Sequence, residues 1–429
     1  MQVLTQDFHA LMHFRLTGHP YGWDFDLSFL THKDRAWIRN QLPDSIHGNS
    51  VCEKWFKQMF FPPNVDWLEV PKYWDAITAF LLTLFAGRLR TIRIDAYGWN
   101  AARYQYINIV LLASVKVPDR FQHLQKVTLM GCLDEEYGAG SSSLPIQLIV
   151  PYLQVPSVTK FQTSNLSLVR IPSQSAFQIN DLTSNNHRLT GRSLMSFLLC
   201  FSSLKRLRFH LAHTRNARQD ASFVRRGLVT SKDTLEELIL IHAPGGSDSW
   251  TGDDSSTSDE EDEQDYFAVT DEKNSERIKP NELGPLRTFG KLKTLHLEST
   301  LIYPLQARPH SRQYDSETRK LSNESDYLAL PEYFPASLEH LTLNISPSTH
   351  CHLFDQLSTG TFLSNTPNLK SIHLLFRHDY MPDGKPMRPD FARLAELQTS
   401  ATVEGVELSW DCMCELATPV QCYEDFVKE

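Results

Sequence analysis

The chain is 429 residues long and 41% hydrophobic, with 24 Phe, 14 Tyr and 8 Trp, enough to core two or three ordinary domains or one extended array. No apolar run reaches the roughly 18 residues of a membrane span, and the opening "MQVLTQDFHALMHFRLTGHP" lacks the regions of a secretory signal. The net charge of −9 belongs to one stretch: Asp248 to Glu272 holds eleven acidic residues and no basic one, leaving the rest at +2.

Residues 1–70 are aromatic and polar without a clear repeat. Here "WIRNQLP", "VCEKWFKQMFF" and "VDWLEVP" predict short helices and an edge strand that cap whatever follows. An amphipathic helix comes next, over 75–89, with Ile77, Phe80, Leu81, Leu84 and Phe85 at i, i+3, i+4, i+7 and i+8. Asp75 is its expected N-cap and Gly87 its expected C-cap. It leads into "LRTIRI" from Leu89, the first copy of a phrase that returns as "LQKVTL" from Leu124 and "VTKFQT" from Val158. A second helical run, Leu194, Phe197, Leu198 and Phe201, precedes "LKRLRF" from Leu204, and "LEELIL" follows from Leu235.

The segment 245–276 is rich in Ser, Asp and Glu, lacks helical or strand periodicity, and is expected to be disordered. Ser256, Thr257 and Ser258 each have an acid three residues downstream, which makes them candidate phosphorylation sites. The phrase resumes as "LKTLHL" from Leu292 and, after a second polar insertion at 303–326, as "LEHLTL" from Leu338. Leu353, Phe354 and Leu357 precede "LKSIHL" from Leu369, and Phe391, Leu394 and Leu397 precede "VEGVEL" from Val403. Residues 412–429 are left as a terminal cap or tail.

Composition alone gives about two chance matches to strict Leu-x-x-Leu-x-Leu, against five here. Each is preceded by polar, Pro or Ser residues and, before those, by a helical run. Most copies follow one another at a step long enough for a full helix and its loops. Three intervals are longer, from Val158 to Leu204, from Leu235 to Leu292 and from Leu292 to Leu338, and each is expected to hold an insertion. The fold class that follows is α/β: a curved leucine-rich-repeat solenoid over 71–411, with about nine parallel strands on its concave face and helices on the convex one. Leu204, Leu207, Leu235, Leu238, Leu292, Leu295, Leu338, Leu341, Leu369 and Ile372 should be buried. A doubly wound sheet would need continuously apolar strands, whereas these carry Arg, Lys, Glu or His between the leucines.

The layout resembles fungal leucine-rich-repeat proteins of the F-box group. The resemblance covers about 62–410. It rests on "NVDWLEVPKYWDAITAFLLTLFAGRLRTIRI", a tryptophan-bearing lead-in to a helix and strand, and on "LPIQLIVPYLQVPSVTKF". It implies a substrate receptor whose repeats hold a target while an F-box hairpin grips a Skp-type adaptor of a cullin ubiquitin ligase. No F-box is evident. The one candidate, "LPDSIHGNSVCEKWFKQMFF" from Leu42, is broken by Gly48 and a polar stretch.

No phosphate-binding glycine loop, His-Glu-x-x-His or Gly-x-Ser-x-Gly is present, so no enzyme is expected, and no cofactor. The Ser202–Lys205 match to Ser-x-x-Lys lies at a repeat start without companion motifs. Cys412, Cys414 and Cys422 lack a fourth zinc ligand at familiar spacing, so no metal is expected. Seven scattered cysteines, an odd number, fit a reducing cytoplasm or nucleus.

The informative surface is the strand face between the leucines. There Arg93, Lys126, Lys160, Arg206 and Arg208 are expected to form one basic stripe for an acidic protein partner, with His210 beside it. His296, His340 and His373 fall nearly in one row farther on. A near-neutral folded part without interleaved aromatics argues against nucleic acid. The sequence therefore reads as a monomeric protein-binding protein, with a plain repeat scaffold as the alternative to a ligase receptor.

Overall fold

The computed structural model describes residues 13–17, 31–41, 49–60, 70–96, 105–116, 118–131, 144–164, 166–167, 176–185, 189, 191–211, 217–242, 283–302, 330–345, 353, 356–357, 360–377 and 391–413. The acidic segment 245–276 with Ser256, Thr257 and Ser258, the 303–326 insertion and the tail beyond residue 413 lie outside them. Two compact units are present, Met1–Phe209 with Gly227–Glu237, and His210–Arg226 with Leu238–Glu429.

In chain order the first unit comprises β1 (His13–Thr17), α1 (His32–Gln41), α2 (Asn49–Phe60), α3 (Val70–Phe85), β2 (Thr91–Ala96), α4 (Gln105–Lys116), β3 (Lys126–Gly131), β4 (Leu144–Pro145), α5 (Ile146–Leu153), β5 (Lys160–Ser164), β6 (Leu166–Ser167), β7 (Asp181–Asn185), α6 (Gly191–Leu199) and β8 (Arg206–Leu211). β1, β2, β3, β5, β7 and β8 pair in that order, parallel throughout, while β4 and β6 form a small pair of their own.

Next come α7 (Ala217–Gly227) and β9 (Glu237–His242). The second unit continues with β10 (Thr294–Glu298), α8 (Ser299–Ile302), α9 (Leu330–Tyr333), β11 (His340–Ile345), α10 (Gly360–Asn365), β12 (Ser371–Arg377), α11 (Phe391–Val403) and β13 (Glu407–Met413). β10 to β13 pair in chain order and in parallel. None of the described helices is long and apolar enough to cross a membrane.

All ten leucine and isoleucine positions expected in the core are buried, most with no exposed area. The strands repeat one backbone device. The carbonyl two residues before each strand's first inward residue accepts two consecutive N–H groups of the next unit. Arg90 takes Gln125 and Lys126, Lys205 takes Glu236 and Glu237, and Lys293 takes Glu339 and His340. The polar residue just before three of the repeat leucines also has a task. Thr234 Oγ1 donates to Leu204 O at 2.8 Å, Ser337 Oγ to Leu292 O at 2.8 Å, and Asn368 Nδ2 to Ala336 O at 2.9 Å. These side chains give turn carbonyls a donor.

Three expectations need correction. The long interval between Val158 and Leu204 is not an insertion but holds a further strand, β7, at Asp181–Asn185. Its inward residues are Leu182 and Ser184, so serine stands where the pattern wants a third leucine.

The last repeat is slipped toward the C-terminus, with Leu408 where Val406 was expected. Val403 is 80% exposed because α11 runs through it. Gly405, at φ 74°, then closes that helix: its N–H bonds Thr402 O and the N–H of Val406 bonds Ala401 O. That is the Schellman arrangement, for which a left-handed glycine is suited. The strand starts only at Glu407, with Leu408 and Trp410 in line with Ile372 and Leu374.

The third correction concerns Asp75, which caps a helix other than its own. It lies one turn inside α3, and its Oδ2 and Oδ1 accept the N–H groups of Tyr106 (2.7 Å) and Ile107 (2.9 Å) at the start of α4. Burial pushes its carboxyl up to about 7, against the opposing pull of the Tyr106, Ile107 and Gln105 N–H groups. Trp55 of α2 completes the joint: its Nε1 donates to Ala76 O at 2.7 Å, and its ring stacks on Tyr106 at 5.5 Å. Gly87 shows no positive φ; α3 ends with Phe85 O accepting from Arg88 and Leu89.

Candidate partner-binding face

Alternation along each strand puts one set of side chains inward and the other on an open face. In the first unit the register aligns one open row as Thr91, Lys126, Lys160, Asp181 and Arg206, and a second as Arg93, Thr128, Gln162, Thr183 and Arg208. The expected basic stripe is thus split over two rows, and β7 sets Asp181 into it.

The arginines and the lysines differ in circumstance. Arg206 Nη2 lies 2.8 Å from Asp181 Oδ2, and Arg208 Nε donates to Glu237 Oε1 at 2.9 Å. Each is held by a carboxylate from the neighbouring strand. Lys126 and Lys160 stand directly opposite one another. Among the described residues neither has an ion-pair partner. Beside them Thr128 Oγ1 donates to Gln162 Oε1 at 3.5 Å.

The open face is narrower than expected. The third outward position along the strand is buried in Met130, Ser164, Glu298 and Asn344. His210, at that position in β8, is half-buried.

In the second unit the rows are Thr294, His340, Ser371 and Glu407, then His296, Thr342, His373 and Ser409. His296 and His373 therefore share a row with Thr342 between them, and His340 sits in the other. Each ring is tied down. His340 Nδ1 meets Ser371 Oγ at 2.8 Å and His373 Nδ1 meets Ser409 Oγ at 2.8 Å. His296 Nε2 meets Asn344 Oδ1 at 2.7 Å, and Asn344 Nδ2 donates to the buried Glu298 at 2.9 Å. At the N-terminal edge of these strands Glu339 takes hydrogen bonds from Lys370 and Lys293, which hold its carboxyl at about 2.

Among the described residues no three His, Cys, Asp or Glu side chains converge as a metal site. No protein-family model and no curated protein matches the chain.

Sequence reasoning missed Asp181 because it missed β7. A signal was available in residue order: Ile179, Leu182 and Ser184 keep the spacing of Leu204, Leu207 and Phe209. The steps from β5 to β7 and from β7 to β8 also fall within the common repeat length of about 20–29 residues.

Proposed function

We propose that this chain is a leucine-rich-repeat protein that binds another protein on the open face of its strands and carries out no chemistry. The observation supporting this most directly is the recurrence of one strand unit in which polar side chains occupy most of the first two outward positions while the inward ones are buried. A fold needs only the inward set. The outward one is a surface presented in regular rows, the arrangement extended repeat proteins use for macromolecular partners. The narrower reading, a substrate receptor or adaptor in ubiquitin-dependent turnover acting in cytoplasm or nucleus, rests on the F-box-group resemblance.

The test is capture of proteins on the tagged full chain, followed by mass spectrometry, with and without added Skp-type adaptor. Recovery of the adaptor in stoichiometric amount supports the receptor reading. Partners whose retention depends on the open-face residues, without the adaptor, support a plain scaffold. Binding that ignores every open-face substitution overturns both.

A further inference from the structure

The five cations expected to act as one stripe are not equivalent, and the difference assigns their roles. Two like charges directly opposite on adjacent strands weaken a sheet. The Lys126–Lys160 pair is such an arrangement. Arg206 and Arg208, by contrast, have Asp181 and Glu237 at hydrogen-bond distance. Neither lysine has a described carboxylate within ion-pair distance, which leaves the pair open to an anion from outside.

We propose that Lys126 and Lys160 are the contact for an acidic peptide segment of the protein partner, and that Arg206 and Arg208 are internal braces of the sheet. This rests on the protein-binding reading and names the chemistry of the partner. Paired strands place the two Cα atoms about 5 Å apart, so both flexible stems can bring their ammonium groups onto one carboxylate or phosphoryl group. Lys160 is exposed and Lys126 half-exposed, so the pair is reachable without any rearrangement. Asp181 lies on the far side of Lys160 and is committed to Arg206, so the anion meets no competing free carboxylate in its row.

The test uses the full chain and a fluorescent peptide of alternating Glu and Ser, with an equal-length single-stranded DNA as comparison probe. The Lys126→Gln, Lys160→Gln double variant is expected to lose peptide affinity by about tenfold or more and to keep or slightly raise its melting temperature. The Arg206→Gln, Arg208→Gln double variant is expected to lose less than about threefold in affinity and to melt earlier. Raised salt should weaken the wild-type complex and leave the lysine variant little changed.

Absence of peptide binding, an equal loss in the arginine variant, destabilisation by the lysine substitutions, or tighter lysine-dependent binding of the DNA would each overturn the assignment. A captured protein partner that the lysine variant retains in full also overturns it, while leaving the broader protein-binding reading intact.

Discussion

In the first unit the open face of the sheet carries full charges, braced across strands as Arg206–Asp181 and Arg208–Glu237. In the second unit the same two rows carry mostly histidine, serine and threonine, with Glu407 ending one of them, and the rings meet hydroxyls as His340–Ser371 and His373–Ser409. The inward rows show no such divergence in one position: Ile92, Val127, Phe161, Leu182 and Leu207 answer Leu295, Leu341, Ile372 and Leu408, all buried. The fold thus constrains one face of each strand and leaves the other free to specialise. Whatever distinguishes the two units in binding must be sought on the outward rows.

The sharpest way to break that comparison is through the shared face. Leu207→Ala in the first unit and Leu295→Ala in the second should each cost about 2–5 kcal/mol, measured by denaturant unfolding. A loss under about 1 kcal/mol in either would show that the inward rows are not equivalent.

Asp75 should come next. Replacing it with Asn puts an amide N–H against backbone N–H donors and should cost about 1–3 kcal/mol. It should also flatten a pH dependence. The folded carboxyl sits near 7 and the unfolded one near 3.8, so between those values the folded state holds the extra proton. Stability therefore falls as pH rises from about 4 to 7 and is level above that. A melting curve series in which the wild type shows no such decline would remove Asp75 as its source.

Smaller, and of opposite sign, is the effect of two hydroxyls. Thr163 and Ser184 face each other on β5 and β7, fully buried, and neither Oγ has a hydrogen-bond partner among the described residues. Thr163→Val with Ser184→Ala should stabilise the chain by about 1–2 kcal/mol, since no bond is lost and two polar groups leave the core. A destabilised double variant would mean that the hydroxyls have partners after all.

The smallest effect belongs to the braces. Arg206 and Arg208 keep about two fifths of their side-chain area exposed. Solvent screening limits each Arg→Gln change to about 0.2–1 kcal/mol, and added salt should shrink it further.

Leucine spacing alone located most strands of the main sheet, because a buried inward row is a strict requirement on residue type. Where the requirement relaxed, reading failed. β7 hid because Ser184 replaces a leucine, and the final strand was displaced because Val403, Val406 and Leu408 imitate the pattern across a helix end. Asp75 was recognised as a cap, but its partner is Tyr106, in the next helix along the chain, a contact no local window contains. Strand register puts the five cations on outward rows. Their ion-pair partners were not legible, since Asp181 belongs to the hidden strand and the weight of Glu237 depends on cross-strand register.

Because paired strands in each unit are neighbours in the chain, the length of chain between them sets how fast they can meet. The steps from β5 to β7 and from β7 to β8 are short, and the step from β10 to β11 is about twice as long. Loop closure then favours the first trio by about 0.6 kcal/mol per pairing. Pulsed hydrogen exchange should show amides of β5 to β8 gaining protection before those of β10 and β11. Yet this trio also contains Thr163 and Ser184, the poorest stretch of the inward row. The part of the sheet that assembles most readily is thus the part held least tightly, and transient opening in the folded protein should concentrate there.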